Sequence, residues 1–435
     1  MQDAAACNNL LHGQYRKVNG MAVADAVHDR RNRELESYPA ASREVRGWLN
    51  ALFLIVVSSI GVAWADQPPG GEAYGDVLAM NLGWTRTQPA AGHYLPAGTR
   101  LTYRQAVSST PGSNAGPDAR GVAAQGFVQV DINFADATAC VATVTIYSQA
   151  LTVDSLIPNS TDFSVSDGST CSYVWVSPSV LASYQAAPGG IETVERGPFQ
   201  HNGRAYNSIM ISSTHQNMRS WRVYDLESGM LLSMTEGTGD RSNPDGTSQG
   251  SASSGVQELI SVRQLHLPWT RNQSLPPQLQ NLTSLSYRGQ LVQSTPGVTL
   301  FDTSVTTQLG LTITVQERKP GWLRAQQLTT LSMMGVALEP VTQQVVLTAG
   351  SGHFLLPAVI GGLQAGQVLD TDPVTGYRSW VERADGSAVV LVTEGRGYRL
   401  VANFDSSSGL LLSSWSERNE GSTLRTSSLE LIGWQ

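Results

Sequence analysis

The chain has 435 residues, of which 41% are hydrophobic and 14% are charged, and its formal net charge at pH 7 is -7. This apolar content excludes wholesale disorder, and the acidic balance leaves no basic excess with which to bind nucleic acid. A chain of this length is expected to form two or three domains.

The first element in chain order is an uncharged, largely apolar run at residues 47–65. A basic flank, an apolar stretch and the small-x-small sequence Ala63-Trp64-Ala65 are typical of a secretory signal peptide and predict cleavage after Ala65. The alternative is a membrane anchor, for which Asn50 and two serines make the run a poor candidate. Cleavage predicts an extracytoplasmic protein, periplasmic or secreted, without a stable membrane span.

Residues 1–46 are charged and much longer than the basic segment of a signal peptide. Two interpretations stay open: translation starts at Val45, read as a GTG start codon, or these residues form a cytoplasmic tail on a signal anchor. Residues 1–65 are therefore treated together as an N-terminal extension plus signal peptide.

Two of the three cysteines, Cys140 and Cys171, follow the signal segment. In an oxidising compartment an even pair of cysteines is typical of a disulfide, and we predict the bond Cys140–Cys171. Neither cysteine belongs to a CxxC pair or has the spacing of a zinc site.

Comparison of the chain with itself shows an internal repeat. Four segments recur in the same order at offsets of about 180 to 185 residues: 82–86 as 267–271, 101–104 as 285–288, 177–181 as 356–360, and 224–233 as 404–413. Such collinear matches indicate a tandem duplication. They predict two β units, residues 78–266 and 267–435, with no flexible linker between them.

Each unit has the pattern of half-buried antiparallel strands. Val128, Val130, Ile132 and Phe134 alternate with polar residues, which predicts that these four share one face. Later strands are predicted at 377–382, 388–394, 398–404, 409–415 and 424–432, with Asp-x-x-Ser-Gly turns at 225–229 and 405–409. The predicted fold class is mainly β: two tandem repeats of antiparallel, curved, half-barrel-like sheet with few short helices.

Helix signals are few. Ser177-Pro178 is typical of a helix start with proline in the first turn, and Pro357 is expected to start the matching helix. Residues 322–336 are predicted as a third short helix. Residues 237–255 are rich in glycine and serine and predict an inserted loop.

No catalytic, cofactor-binding or metal-binding residue is predicted. Residues 246–250 match the G-x-S-x-G pattern, but they lie in the glycine- and serine-rich loop, without the flanking strand and helix that a nucleophile elbow needs. Residues 370–376 and 240–246 resemble calcium loops without their spacing, and turn chemistry explains them better. A structural calcium is kept as an alternative, as is a carboxylate pair drawn from Glu192, Glu236, Glu317 and Glu394.

Eight tryptophans follow the signal segment, and they suit either core packing, which we favour, or a ligand groove. Trp84 and Trp269 occupy equivalent places in the two units, as do Arg104 and Arg288. Positions kept in both units fit a shared architecture better than a single active site.

Two elements carry a resemblance to a known family. The hairpin Tyr224-Asp225-x-x-Ser228-Gly229-x-Leu231-Leu232 and the element Leu285-x-Tyr287-Arg288-Gly289 resemble segments of periplasmic half-barrel proteins, the lipoprotein-carrier and sigma-factor-regulator superfamily. The resemblance covers about thirty residues in each unit. It implies exported, antiparallel units that curve around an apolar concave face, and it places no lipid-binding residue in this chain.

The predicted function is that of an exported, non-enzymatic binding or scaffold protein for an apolar ligand or a protein partner. The alternative is a secreted hydrolase of polysaccharides or esters. Because helices are scarce, we expect apolar sheet surface that helices do not cover. This predicts a groove lined by apolar and aromatic side chains within a unit or at the seam between the units.

Overall fold

The computed structural model describes residues 95–110, 123–149, 155–166, 168–186, 188–215, 218–238, 252–270, 274–295, 303–350 and 352–435. The predicted signal segment at 47–65 with its cleavage site at Ala65, the first copy of the 82–86 element, and the motifs at 240–246 and 246–250 lie outside these residues. The described residues belong to one compact unit, Gln67–Gln435.

The first half of the described chain forms a nine-stranded antiparallel sheet in the order β4-β3-β2-β1-β11-β10-β9-β8-β7, beside a two-stranded pair β5-β6. Its strands are β1 (Thr99–Thr110), β2 (Ala123–Ala135), β3 (Cys140–Gln149), β4 (Leu156–Ser166), β5 (Thr170–Cys171), β6 (Trp175–Val176), β7 (Glu192–His201), β8 (Arg204–His215), β9 (Met218–Asp225), β10 (Leu231–Thr238) and β11 (Ala252–Gln264).

The second half forms an eleven-stranded sheet in the order β15-β14-β13-β12-β22-β21-β20-β19-β18-β17, with β16 also paired to β14. Its strands are β12 (Ser284–Thr295), β13 (Thr303–Arg318), β14 (Trp322–Met333), β15 (Val336–Ala337), β16 (Val341–Thr348), β17 (Val368–Thr371), β18 (Arg378–Ala384), β19 (Ala388–Gly395), β20 (Tyr398–Asp405), β21 (Leu411–Asn419) and β22 (Leu424–Trp434).

The two sheets share their topology and their irregularities. In each, the first strand pairs with both the second and the last. The register shifts just before Tyr103 in the β1–β11 ladder and just before Tyr287 in the β12–β22 ladder. Since a bulge decides which residues face inward, matching bulges give the two sheets the same inner-face positions. The mainly β fold with two open antiparallel sheets is confirmed for the described residues, whereas the unit bounds 78–266 and 267–435 stay a prediction.

Strand β2 shows what such a bulge does to a simple alternating pattern. Val128, Val130 and Ile132 point into the main core of the first sheet, as predicted. A register shift between Ile132 and Phe134 in the β2–β3 ladder then reverses the alternation. The prediction that Phe134 shares their face is therefore wrong: its ring packs in a different cluster, on the outer face.

The predicted helix at 322–336 is also wrong, because this segment contains all of strand β14 and the first residue of β15. Within β14, buried residues alternate with exposed ones from Leu323 to Leu331. The segment holds good helix formers such as alanine and glutamine, but pairing with β13 on one side and β16 on the other prevails over local propensity. The strands predicted between 377 and 432 are confirmed within one or two residues at most ends.

Three short helices are described: α1 (Pro178–Ser183), α2 (Pro277–Gln280) and α3 (Pro357–Ile360), each with proline at its start. The helix starts predicted at Ser177-Pro178 and Pro357 are confirmed, although the Ser177 hydroxyl bonds Ser179 rather than capping a backbone amide. No helix in the described part of the chain is long and apolar enough to cross a membrane.

The segment before α1 or α3 covers the inner face of its sheet. Trp175 forms a bridge with Met230 in the first sheet, and Phe354 forms the equivalent bridge with Leu410 in the second. Both aromatic side chains are fully buried and centre the main core of their half. A large buried ring at this position lets one short segment close a wide sheet.

The predicted disulfide is present. It joins Cys140 in β3 to Cys171 in β5, with the two Cα atoms 5.3 Å apart. The bond ties the first sheet to the segment that carries Trp175. In the second half, Leu323 occupies the same place at the start of the third strand and packs there in the apolar core.

Candidate functional site

The outer face of the first sheet packs against the second sheet through an aromatic cluster. Phe127, Tyr147 and Ile260 lie on this face and are at most 9% exposed. The rings of Tyr147 and Tyr377 meet edge to face with centroids 5.2 Å apart, and the Tyr377 hydroxyl donates to the Leu156 carbonyl. Buried rings of this size make a firm junction, which we call the seam.

A second apolar patch extends the seam along the β3 and β4 edge. Val141 and Phe134 pack there with Trp322 and Val346 of the second sheet. A Cβ atom added to Gly321 would lie only 2.2 Å from the Phe134 ring. The bulge in β2 turns Phe134 outward, and its ring there contacts Gly321 just before β14. Only glycine fits at position 321, because a Cβ atom would clash with the ring.

An ion network joins the same two sheets. Arg100 in β1 donates to Asp131 at 2.6 and 2.7 Å, and its Nη1 donates to Asp370 and Asp372 at 3.0 Å each. Arg263 in β11 bonds Asp370 at 2.6 Å and Asp372 at 3.0 Å. Three carboxylates thus face two guanidinium groups, and the Asp372 side chain is fully buried. Removing either arginine from such a buried network would leave carboxylates uncompensated, and removing a carboxylate would take from both arginines a close buried partner; either change is costly.

A local turn fixes Asp372 in this network. Its carboxylate accepts the Val374 and Thr375 backbone N–H groups at 2.9 Å each, and the Gly376 N–H bonds the Asp372 carbonyl. Burial would raise the pKa of Asp372, but Arg100, the Thr375 N–H and Arg263 outweigh it and hold the pKa below its ordinary value. Asp372 is therefore ionised at neutral pH.

This turn repeats the geometry of the two Asp-x-x-Ser-Gly turns. The Ser228 N–H donates to Asp225 at 3.1 Å, and the Ser408 N–H donates to Asp405 at 2.6 Å. In all three turns the glycine has a φ between 74° and 78°. Residues 370–376 are thus a structural turn whose carboxylates face arginines, and this occupied arrangement disfavours the calcium interpretation.

A cavity of about 200 Å³ opens at the seam, beside the ion network. We call it the seam cavity. The inner face of the second sheet gives it an apolar wall of Leu391, Leu400, Ala402 and Phe404. Tyr147 of the first sheet forms part of the opposite side. The cavity therefore lies where the outer face of one sheet meets the inner face of the other.

Four polar side chains at the seam cavity are already bonded in pairs. Arg100 and Asp370 line it as members of the ion network. The Ser379 and Thr393 hydroxyls are 2.9 Å apart and form a mutual hydrogen bond. A ligand here would find satisfied polar groups and open apolar surface, which favours an apolar body.

Trp269 forms another side of the seam cavity together with the glycine-rich turn after β16. Gly350 has a φ of 81°, and a Cβ added to it would lie 2.2 Å from the Trp269 ring. Gly352 has a φ of 87° with nothing within 4 Å of such an atom. The close approach of Trp269 to bare backbone thus shapes this wall.

A larger groove of about 610 Å³ lies along the junction between β11 and the second sheet. It runs beside Leu265, His266 and Pro268 and reaches Val359 of α3. The described residues that line it include no aromatic side chain other than His266 and no carboxylate. Leu267 lines both spaces. Unlike this groove, the seam cavity combines an apolar wall and aromatic rings with a few polar groups, which is the lining typical of a ligand site.

The four glutamates considered as a carboxylate pair lie on four different strands. Glu192 accepts the Tyr184 hydroxyl at 2.7 Å, and Glu236 bonds Arg222 at 3.1 Å. Glu317 pairs with Lys319 and Arg324, and Glu394 is exposed near Arg399. None of these four glutamates is among the described residues that line the seam cavity.

The tryptophans divide between the two roles considered from sequence. Trp175 and Trp322 are buried in packing clusters, as the core interpretation predicts. Trp269 lines the seam cavity, while Trp415 and Trp434 are partly exposed at the surface. Trp84 lies outside the described residues.

The main residues of this site escaped sequence reasoning. Arg100, Arg263 and Tyr377 lie far apart in the chain and carry no motif. One signal was available for Asp372, since Asp372-Pro373-Val374-Thr375-Gly376 is a third copy of the Asp-x-x-Ser-Gly pattern with threonine in place of serine. The turn at that position was predicted from turn chemistry, but its arginine partners were not.

No protein-family model matches this sequence, and no curated protein sequence does either. Three solved structures show faint similarity. Intact Ap-TbpB with its N and C lobes is 8% identical, covering 78% of this chain and 79% of its own, with a TM-score of 0.12. The outer membrane protein OpdK of Pseudomonas aeruginosa is 10% identical, covering 77% and 98%, with a TM-score of 0.11. A BenF-like porin of Pseudomonas fluorescens Pf-5 is 11% identical, covering 78% and 99%, with a TM-score of 0.10. Scores this low carry no argument about fold or function.

Proposed function

We propose that this chain is an exported, non-enzymatic binding protein whose seam cavity takes a small apolar ligand. The observation that carries the proposal is the lining of the cavity, with an apolar wall from the second sheet and polar neighbours that are already paired. Ligand sites are typically apolar and lie where packed elements meet.

The size of the cavity sets the size of the ligand. An engineered apolar cavity of about 150 Å³ stays dry and binds benzene. A seam cavity of about 200 Å³ therefore fits one aromatic ring with a short substituent, or an aliphatic chain of a few carbons. A full lipid acyl chain does not fit without movement of the sheets.

Two features support the proposed export. The Cys140–Cys171 disulfide suits an oxidising compartment. The resemblance to periplasmic half-barrel proteins of the lipoprotein-carrier and sigma-factor-regulator superfamily implies the same location and an apolar binding face. The signal peptide at 47–65 and cleavage after Ala65 are part of this proposal.

The hydrolase alternative has less support. Asp370 and Asp372 are close together, but each already bonds Arg100 and Arg263, and the two arginines help to hold the pKa of Asp372 below its ordinary value. A glycosidase needs one carboxylic acid that can donate a proton. This arrangement opposes that requirement.

The test is a titration of the purified exported protein with toluene, indole and hexane, followed by calorimetry. We expect toluene to bind the wild type, and Ala402→Phe, which fills the cavity wall, to weaken binding at least about tenfold, or 1.4 kcal/mol. Ala337→Phe is the matched control, because Ala337 is exposed in β15, and it should bind as the wild type does.

A second variant keeps the test informative if Ala402→Phe fails to fold. Leu400→Ala enlarges the cavity and should admit naphthalene, which the wild type excludes. Absence of binding by every probe, or binding that is unchanged in both cavity variants, would contradict the proposal. Turnover of ester or glycoside substrates by the wild type would favour the hydrolase instead.

A further inference from the structure

A row of polar side chains crosses the inner face of the first sheet. Gln105 in β1 lies directly opposite Gln257 in β11. Gln257 in turn lies opposite Met234 in β10, and Met234 lies opposite Arg222 in β9. Met234 is the one apolar member of the row. Tyr173 reaches this row from the segment before α1 and donates its hydroxyl to Gln257 Oε1 at 3.2 Å. We call these five residues the polar row.

Two amides of the polar row are buried with polar atoms that no described residue satisfies. Gln105 is 0% exposed, and neither its Nε2 nor its Oε1 has a hydrogen-bond partner among the described residues. Gln257 is 2% exposed, and its Nε2 finds no partner in the described part of the chain either. A buried polar group without a partner costs roughly 1–3 kcal/mol. The row thus presents two donors and an acceptor that nothing in the described residues satisfies.

The charges beside the two amides are matched. Arg222 donates to Glu236 at 3.1 Å, and both side chains are less than 20% exposed. Burial raises the pKa of Tyr173 above its ordinary value, so its hydroxyl stays protonated. The surroundings of the amides are therefore polar but neutral overall.

The fold itself does not require these amides. In the second sheet the same register positions hold Gly289, Leu429, Ser414 and Ala402 in place of Gln105, Gln257, Met234 and Arg222. The second sheet has the same topology and the same bulge before its tyrosine. The side chains at these four positions are nevertheless small or apolar. Polarity at this place is thus a property of the first sheet alone, and a costly one.

The two rows also differ in what they face. Ala402 of the second row lines the seam cavity, whose far side is the outer face of the first sheet. The aromatic residues that join the two sheets, Phe127, Tyr147 and Ile260, all belong to that outer face. The polar row lies on the inner face and takes no part in the seam clusters.

From the unpartnered amides and their absence in the matching row, we infer a second ligand site at the polar row. The site takes a small uncharged ligand with a group that both donates and accepts hydrogen bonds, such as an amide. One such group satisfies the Gln105 oxygen and nitrogen together, in the paired geometry that two amides form. It leaves the Arg222–Glu236 pair intact, which excludes carboxylates and amines as preferred ligands.

The experiment titrates the purified exported protein with N-acetylglucosamine and N-acetylalanine methylamide, with glucose as the matched probe that lacks an amide. The wild type should bind at least one amide probe with a dissociation constant below about 10 mM and should not bind glucose. Gln257→Leu restores the residue of the matching row, so it should fold, and it should weaken amide binding at least about tenfold. Toluene binding at the seam cavity should not change in this variant.

Each other outcome decides the matter. If no amide probe binds up to about 50 mM, a concentration that reveals interactions of about -2 kcal/mol or better, the site is wrong, and bound water satisfies the amides. If amide probes bind equally to the wild type, Gln257→Leu and Gln105→Leu, the ligand lies elsewhere. If only charged acetate or methylamine binds, the inferred ligand class is wrong.

Discussion

The inner faces of the two sheets are the instructive comparison in this molecule. Both have a central tyrosine after a bulge, Tyr103 or Tyr287, and both are closed by a segment with a large buried ring, Trp175 or Phe354. The two inner faces differ in polarity. At the matching positions the inner face of the second sheet is apolar and lies across the seam cavity from the outer face of the first sheet. The inner face of the first sheet carries the buried amides of Gln105 and Gln257. The shared positions account for the common fold, and both proposed ligand sites lie at positions that differ between the halves.

The two Asp-x-x-Ser-Gly turns and the Asp372–Gly376 turn, each with its glycine at positive φ, give the largest expected difference. A Cβ on Gly229 or Gly409 would lie 2.1 or 1.9 Å from a backbone oxygen, whereas one on Gly376 meets nothing within 4 Å. Alanine at any of the three carries the left-handed strain of about 1–2 kcal/mol. Crowding adds about 1–3 kcal/mol for Gly229→Ala and Gly409→Ala only.

Chemical denaturation of the three alanine variants measures this directly. We expect losses of about 4 kcal/mol for the two equivalent turns and about 1.5 kcal/mol for Gly376→Ala. Equal losses in all three variants would show that the carbonyl oxygens of Val176 and Leu355 do not lie close enough to Gly229 and Gly409 to clash with a Cβ atom.

The disulfide distinguishes the halves covalently, because Leu323 occupies the place of Cys140 in the second sheet. Replacing both cysteines with alanine should lower the free energy of unfolding by about 3–4 kcal/mol on the chain-entropy estimate, for a loop that spans 31 positions. Two reactive thiols in natively exported, unreduced protein would rule the bond out. Hydrogen exchange should show the loss first in β3 and β5, with β13 and β14 unaffected.

The seam depends on Asp372. Asp372→Asn keeps an oxygen for the turn but removes the charge that faces Arg100 and Arg263, so we expect a loss of about 3 kcal/mol at pH 7. Because the folded pKa is depressed, this stabilisation is present above the unfolded pKa of about 3.9 and is lost as pH falls through the folded pKa. Thermal unfolding between pH 5 and pH 2 should therefore narrow the gap between wild type and variant. A constant gap would contradict the ion network.

A buried histidine on the second inner face has no counterpart on the first. It makes the stability of the fold depend on pH at higher pH values than Asp372 does. His353 precedes Phe354, where the first half has Val174 before Trp175, and its buried Nδ1 has no hydrogen-bond partner among the residues that the structure describes. Burial lowers the pKa of His353 to about 4, so the unfolded chain binds a proton that the folded chain refuses between pH 6.5 and 4. Stability is thus lost as pH falls through this window, by at most about 1.4 kcal/mol for each pH unit.

His353→Val copies the first half and should remove the histidine's contribution to the pH dependence of stability, which leaves a shallower slope between pH 6.5 and 4. Thermal unfolding at pH 7, 6, 5 and 4 compares the variant with the wild type. The same slope in both proteins would mean that other groups are responsible.

The smallest effect concerns the wall of the seam cavity. Gly350→Ala and Gly352→Ala carry similar left-handed strain, but only the first meets the Trp269 ring. We expect Gly350→Ala to cost about 1 kcal/mol more and to weaken toluene binding, because Trp269 must move. Toluene binding weakened to the same degree by both variants would remove Trp269 from the wall.

Sequence reasoning reached the strands and turns because alternation and Asp-x-x-Ser-Gly spacing are local signals. It failed at Phe134, where one extra residue in a bulge reverses the face, and at β14, where pairing with two neighbours decides the structure. The seam was beyond local reasoning, because Arg100 meets Asp372 only through the packing of two sheets. One clue lay in the duplication: Arg104 has a counterpart in Arg288, whereas Arg100 has none.

The most direct test of the proposed seam cavity is a crystal structure of the purified protein under xenon pressure. Xenon enters dry apolar cavities, so we expect a peak between Leu391, Ala402 and Tyr377, and its loss in Ala402→Phe. Ordered water in that space, or side chains that fill it, would contradict an apolar ligand cavity at the seam.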